Sequence, residues 1–463
     1  MKTYCKDYLQ EIAFPLSGIG SGGISISGIG ALVDWELTGK ANKKSVNEYS
    51  HFAVKAERGG KVIDARVLQG DLTGSLIGSQ EAAHHHSWGY GQGPNRTTLA
   101  GIAHFDDVVF TGKFPFAQLD YRCDSMPAAL RLTAYNPFIP GDEDNSSLPA
   151  AFFDWEITNT SGETTDYTIA FSVGNPFRTS DGGIDTYTKE NNISAITLTS
   201  KNYTHDCAEY GELLLSSDCE DISYQEYWYR SGWFDDLTMF WREFSAYGPM
   251  QNRHYDDNNL NGKLDIGDMA TLCARVSLKA GETQKLRFLL AWYFPHFVKY
   301  WDANRPMWKH EYCRRFGSAA EIAAYCYKHR DMLYRDSLRF ADAMCSSTVP
   351  AVITEAALDN LAVLKSPTCL RLENGEFWAF EGTGAQGGSC EGTCDHVWNY
   401  QYALAFLFPR LAKQILEIDY AYNTVPSGAM MFRTMVPLGS GTWGSRACVD
   451  GQMGSILGFY REW

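Results

Sequence analysis

The sequence predicts a multidomain β-plus-α protein: an N-terminal β-sandwich domain over residues 1–300, then a helical domain over residues 301–463. Three observations carry this. Apolar residues alternate with polar ones at period two in the first part of the chain. After Phe294-Pro295-His296 the apolar spacing becomes helical. The order, strands first and helices after, implies segregated layers rather than a βαβ sheet. At 463 residues the chain also exceeds one ordinary core.

The strand evidence runs in order. Ile24-Ser25-Ile26-Ser27 alternates, and Tyr167 to Val173 places large apolar residues at every second position. Ala274 to Leu278 alternates up to the turn Lys279-Ala280-Gly281, and Leu286 to Leu290 reads as a buried strand. Short polar connections with no helical pattern between them point to a sandwich. The helical part opens with Ala319 to Met344, where Ile322, Tyr325, Leu333, Phe340 and Met344 share a face. Glu355 to Lys365 and Val397 to Ile418 repeat the pattern, with a kink expected at Pro409, and Gly454 to Trp463 is a last helical stretch.

Composition narrows the function. With 40 basic and 55 acidic residues the formal net charge is -15, a surface that repels nucleic acid and anionic lipid and suits a neutral substrate. No apolar leader follows Met1-Lys2-Thr3, and no uncharged stretch is long enough to span a bilayer. Twelve cysteines scattered along a long chain read as reduced thiols, so the expected location is cytoplasmic.

Gly18-Ile19-Gly20-Ser21-Gly22-Gly23 fits G-x-G-x-x-G, but Ile24 and Ile26 follow it as a strand. A dinucleotide site needs a helix there. The glycines therefore read as positions of positive φ and close backbone approach. Asp257 to Asp268 has calcium-loop spacing: Asp257, Asn259, Asn261, Asp265 and Asp268 supply oxygens, Lys263 a carbonyl, and Gly262 the sharp turn. Its flanks are not helices, so an isolated structural Ca²⁺ loop and a plain Asp/Asn turn both fit. Cys390, Cys394, His396 and Cys369 are too few and too irregular for a strong zinc signal. His84-His85-His86 precedes Trp88 and Tyr90 in a loop. An aromatic face such as that of Trp88 suits sugar stacking.

Several longer segments carry a resemblance. Pro15 to Gly22, Asp34-Trp35-Glu36-Leu37, Phe114-Pro115-Phe116-Ala117, Asn136-Pro137-Phe138-Ile139-Pro140 and Asp144 to Ala150 occur in order, followed by Trp155 to Asn159. Phe377 to Gly382, His396 to Tyr400 and Leu407-Phe408-Pro409 continue it. Together they resemble glycoside hydrolase family 116, the family of non-lysosomal glucosylceramidase and bacterial β-glucosidases. The resemblance implies a β-sandwich followed by an (α/α)₆ barrel, of which residues 301–463 are the first part. It also implies retaining hydrolysis of β-linked glucosides or related β-glycosides. That chemistry needs two carboxyl groups about 5–5.5 Å apart.

By the resemblance Glu381, in Phe380-Glu381-Gly382, is the nucleophile. Glu391 is the rival: it lies four residues before Asp395, and Glu381 fourteen before it. The animal branch has an intermediate spacing that needs only a small insertion for Glu381. Asp395 matches an aspartate that contacts the glycone, and serves equally as a helix N-cap. His396 beside it has a ring that can hydrogen-bond sugar or backbone. Two departures matter. Pro437-Leu438-Gly439 lacks the histidine that follows a proline in the animal branch. The family's acid/base aspartate has no match up to Trp463, so the barrel reads as incomplete and this chain alone is expected to be inactive. The competing class is a non-catalytic carbohydrate-binding or scaffolding fragment. Neither reading requires a cofactor or specifies an oligomeric state.

Overall fold

A computed structural model describes residues 2–72, 94–229, 235–255, 265–389, 391–395, 401–444 and 446–463. Two large antiparallel sheets dominate its first part. In chain order their strands are β1 (Thr3–Cys5), β2 (His51–Arg58), β3 (Lys61–Val67), β4 (Asp107–Lys113), β5 (Phe116–Arg122), β6 (Ala128–Tyr135) and β7 (Ala150–Asn159). There follow β8 (Thr165–Gly174), β9 (Gly183–Glu190), β10 (Ile193–Ser200), β11 (Glu212–Ser217), β12 (Ile222–Gln225), β13 (Met269–Leu278) and β14 (Thr283–Tyr293). The nine-stranded sheet runs β1-β4-β5-β6-β7-β14-β11-β10-β9, and the five-stranded sheet β12-β13-β8-β2-β3.

The inner faces of the two sheets share one core, as alternation requires. Phe153, Trp155 and Ile157 of β7 and Phe288 and Leu290 of β14 face Phe52 and Val54 of β2 and Ile169 and Phe171 of β8. Phe52 stacks on Phe171 at 3.9 Å and meets Phe153 and Trp155 at 5.2 and 5.3 Å from across the gap. Burying each such ring stabilises the fold by roughly 1.5–3 kcal/mol. One helix, α1 (Asp236–Phe244), interrupts this part. The period-two reading missed it. It packs Phe240 and Phe244 against Trp228, on the outer face of the five-stranded sheet, where Ala53 and Ala170 are buried.

The outer face of the larger sheet is covered by α2 (Ala319–Cys345). Ser318 caps its start by accepting from the Glu321 amide at 3.2 Å, and the Glu321 carboxylate accepts from Gly317 N at 2.7 Å. Ile322, Cys326 and Leu333 pack on Phe152, Leu214 and Leu289. Arg330 reaches through this layer to pair with Asp154.

The helices α3 (Ala351–Leu361), α4 (Gln401–Leu407), α5 (Pro409–Ile418) and α6 (Val449–Glu462) follow. The expected kink at Pro409 is a full break. Phe408 adopts φ -141° and ψ 70°, and Pro409 begins the next helix. The residue before a proline is pushed out of the helical region, and proline itself suits the first helical position. Among the described residues no helix is long and apolar enough to cross a membrane. The eleven described cysteines are free thiols.

Three of the segments that carry the family resemblance, around Ile19, Asn136 and Ser146, meet at one joint. Ile19 N donates to Ser146 O at 2.9 Å, and Asn136 donates to Leu148 O and Ala150 O at 2.8 and 2.7 Å. Lys365, buried beyond α3, donates to Ser17 O and Pro137 O at 3.1 and 2.9 Å and also bonds the Asn136 side chain. Burial holds this ammonium well below the usual lysine pKa. The carbonyl cluster supplies its compensation.

Candidate functional site

Glu381 is presented by a short hairpin of β15 (Cys369–Arg371) and β16 (Phe377–Ala379). Phe380 continues the strand by donating to Thr368 O at 2.7 Å and is itself buried against Trp301, with ring centroids 5.7 Å apart. Successive residues of an extended chain point to opposite sides. With Phe380 turned inward, Glu381 faces out, its side chain 32% exposed. The tight pair Gly382–Thr383 and Gly388–Ser389 follows at once.

A second small sheet supplies the partners of Glu381. Its strands are β17 (Thr393–Cys394), β18 (Arg433–Thr434) and β19 (Thr442–Trp443). Cys394 lies opposite Arg433, and Arg433 opposite Trp443, so the three side chains share a face. Arg433 Nη2 donates to Glu381 Oε2 at 3.2 Å, and Cys394 Sγ approaches the same oxygen at 4.0 Å. The Arg433 guanidinium lies over the Trp443 ring, 4.8 Å from its centroid. A carboxylate is thus fixed by a cation that is itself fixed by an aromatic. Nothing in the sequence patterns singled out Arg433 or Trp443. They lie more than fifty residues from Glu381 and only the folded sheet brings them there.

Alternation separates Asp395 from this group. Cys394 points to Glu381, and the next residue is buried on another side. Its Oδ1 accepts from Ser455 Oγ at 2.9 Å, and the same hydroxyl reaches Asp419 Oδ2 at 2.8 Å. Burial raises the Asp419 pKa well above the carboxylate range, the Asp395 charge raises it further, and the Ser455 hydrogen bond opposes both. The N-cap alternative for Asp395 concerns residues 396–400, which lie outside the described residues, as does His396.

Asp419 has a measurable consequence. Its raised folded pKa gives stability that is fully present below the unfolded value and is lost as pH rises through the folded one. At neutral pH the carboxyl is therefore a burden. Asp419→Asn should stabilise the protein at pH 7.5 by about 1–3 kcal/mol, the scale for an imperfectly compensated buried polar group. The gain should shrink toward pH 4. Thermal denaturation at both pH values checks it; equal destabilisation at both would refute it.

Glu391 is occupied elsewhere. Its Oε2 accepts from the Trp301 indole at 2.6 Å and forms an ion pair with Lys299 Nζ at 3.0 Å, with 14% of the side chain exposed. Trp88, Asp257, Asn259, Asn261 and Lys263 lie outside the described residues. Of the calcium-loop set, Asp265 accepts from Ser180 N and Ser180 Oγ, both at 2.8 Å, and Asp268 accepts from the Tyr255 hydroxyl. Among the described residues no cluster of three His, Cys, Asp or Glu side chains has metal-binding geometry.

The chain is similar in structure to a protein described as a kojibiose phosphorylase from the human microbiome, at 8% identity and a TM-score of 0.33, covering 72% of this chain and 35% of the other. It is also similar to a family GH92 α-mannosidase from Bacteroides thetaiotaomicron, at 7% identity and a TM-score of 0.34, covering 91% and 48%. The chain thus spans about a third and about half of those proteins' lengths. In sequence, residues 13–333 match the N-terminal domain described as beta-glucosidase 2, glycosyl-hydrolase family 116. That match takes in most of the chain, both large sheets apart from the edge strand β1, and the first half of α2, and the chain belongs to glycosyl-hydrolase family 116.

Proposed function

We propose that this chain is the nucleophile-bearing part of a retaining β-glycoside hydrolase acting on β-linked glucosides or related β-glycosides. The observation that carries the reading is Glu381, turned outward beside Arg433 within a chain of this family. A retaining enzyme attacks the anomeric carbon with a carboxylate while a second carboxyl group protonates the leaving oxygen. Arg433 hydrogen-bonds Oε2 of Glu381, and attack through Oε1 keeps that orienting bond. Trp443, 54% exposed, and Trp301, 37% exposed, offer aromatic faces for a pyranose ring. The engagement of Glu391 with Lys299 and Trp301 favours Glu381 over its rival. The acid/base group is not assigned to a residue of this chain.

The same reading treats the two large sheets as a β-sandwich domain over residues 1–300 and residues 301–463 as part of an (α/α)₆ barrel. Its test is covalent trapping. A 2-deoxy-2-fluoro β-glucoside with an activated leaving group should add one sugar to the chain, and peptide mass spectrometry should place it on Glu381. A sugar on Glu391 would refute the assignment.

Calcium at the 257–268 loop is a separate proposal, supported by the ligand spacing alone. Calorimetric titration should show Ca²⁺ binding that Asp257→Ala weakens at least tenfold, since it removes a hard oxygen ligand. A wild-type chain giving no heat would leave the loop as a plain Asp/Asn turn.

A further inference from the structure

We infer that a second sugar-binding site, for a single neutral pyranose, lies in a cavity at the other end of the hairpin that presents Glu381. The cavity has a volume of about 320 Å³. That lies within the ~300–1,000 Å³ range of small-molecule sites. The turn residue Gly375 and Arg371 line it, whereas Glu381 follows the opposite end of the strand pair. Four residues of extended chain separate Phe377 from Glu381, roughly 13 Å at ~3.3 Å per residue.

The lining is built from charges that compensate one another. Glu143, 2% exposed, pairs with Arg410. Arg371 donates to Glu143 O at 3.0 Å, to Ser147 Oγ at 2.7 Å and to Asp144 Oδ1 at 3.2 Å. Glu311 stands apart. It is 6% exposed, and its Oε2 lies 3.6 Å from Arg371 and 3.8 Å from Arg315 without a hydrogen bond to any described residue. Nε and Nη2 of Arg315 likewise have no partner among the described residues. An acceptor and two donors thus sit together, shut from solvent, with their hydrogen bonds unmade. Such groups are costly to leave unsatisfied. The contacts to Glu311 are loose, and Arg315 retains 22% side-chain exposure, so a small side-chain adjustment turns both toward a guest.

The chemistry selects the guest. An anion meets three carboxylates, and a cation meets the guanidinium groups of Arg314, Arg315, Arg371 and Arg410. A hydroxyl does both jobs at once: it donates to Glu311 and accepts from Arg315. Adjacent hydroxyls on a ring repeat the pattern, and the volume admits one ring. This site does not depend on Glu381 being a nucleophile.

Saturation-transfer NMR and calorimetry on the full chain test it, with D-glucose, D-galactose, D-mannose and D-xylose as sugars and inorganic phosphate as the anion. At least one sugar should bind. Glu311→Gln should weaken it tenfold or more and strengthen phosphate, because a repelling charge has gone. Arg315→Lys, which keeps the charge but loses the fork, should also weaken the sugar. Glu381→Gln should leave this binding unchanged, whatever it does to trapping. The inference is overturned if none of the four sugars binds, which leaves the cavity to water. It is equally overturned if phosphate binds the wild type more tightly than any sugar, or if sugar binding disappears in Glu381→Gln and survives in both cavity variants.

Discussion

Glu381→Gln should abolish covalent trapping by a 2-deoxy-2-fluoro β-glucoside, with the labelling rate falling by at least about 10⁴-fold, the scale of losing a nucleophile. The amide is close in size to the carboxylate and still accepts from Arg433, so the hairpin and its 3.2 Å contact have no reason to rearrange. Only nucleophilicity is lost. Trapping is the right readout because an activated leaving group departs with little protonation, and the assay then reports the attacking carboxylate rather than the acid. Arg433→Met should slow labelling without ending it. It removes the hydrogen bond that orients Glu381 but keeps a long apolar side chain beside Trp443. Undiminished labelling of Glu381→Gln, with melting unchanged, would mean that another group attacks. An Arg433→Met rate equal to wild type would show that the ion pair does not orient the carboxylate.

What could be read from the chain, and what could not, follows the range of the interactions. Alternation along Tyr167 to Val173 is local, and it matches a strand whose inner residues Ile169 and Phe171 enter the shared core. The helix from Ala319 likewise announces itself through its own period, because one stripe lies on a sheet. Asp236 to Phe244 did not, being only nine residues long and enclosed by strands. The site divides in the same way. Phe380-Glu381-Gly382 is a contiguous segment and was legible through resemblance. Arg433 was not, since its role depends on β17 and β18 pairing across roughly forty residues. The partners of Asp395 also come from other elements. Ser455 lies on α6 and Asp419 just beyond α5, and neither has any local mark of an acid pair.

The glycine run was legible in physical terms, and it leads to a large expected effect on stability. Gly20→Ala should destabilise the protein by more than about 3 kcal/mol, the sum of a left-handed dihedral and a backbone collision. Gly20 has φ +68°, and an added Cβ would lie 2.5 Å from Arg371 N and 3.0 Å from Leu370 C. Those are backbone atoms of β15, so no side-chain rotation relieves the contact. Arg371 is also the residue that binds Ser147 and Asp144, and displacing it loosens the joint where three of the signature segments meet. Gly59 separates the two contributions. It has φ +59°, and an added Cβ there meets nothing within 4 Å. Gly59→Ala should therefore cost only about 1–2 kcal/mol, the dihedral alone. Urea denaturation of the two variants beside wild type gives both differences. Equal losses would show that the close approach at Gly20 is absorbed by the backbone. A Gly20→Ala protein within 1 kcal/mol of wild type, on the scale of an unstrained glycine replacement, would remove both the strain argument and the joint it protects.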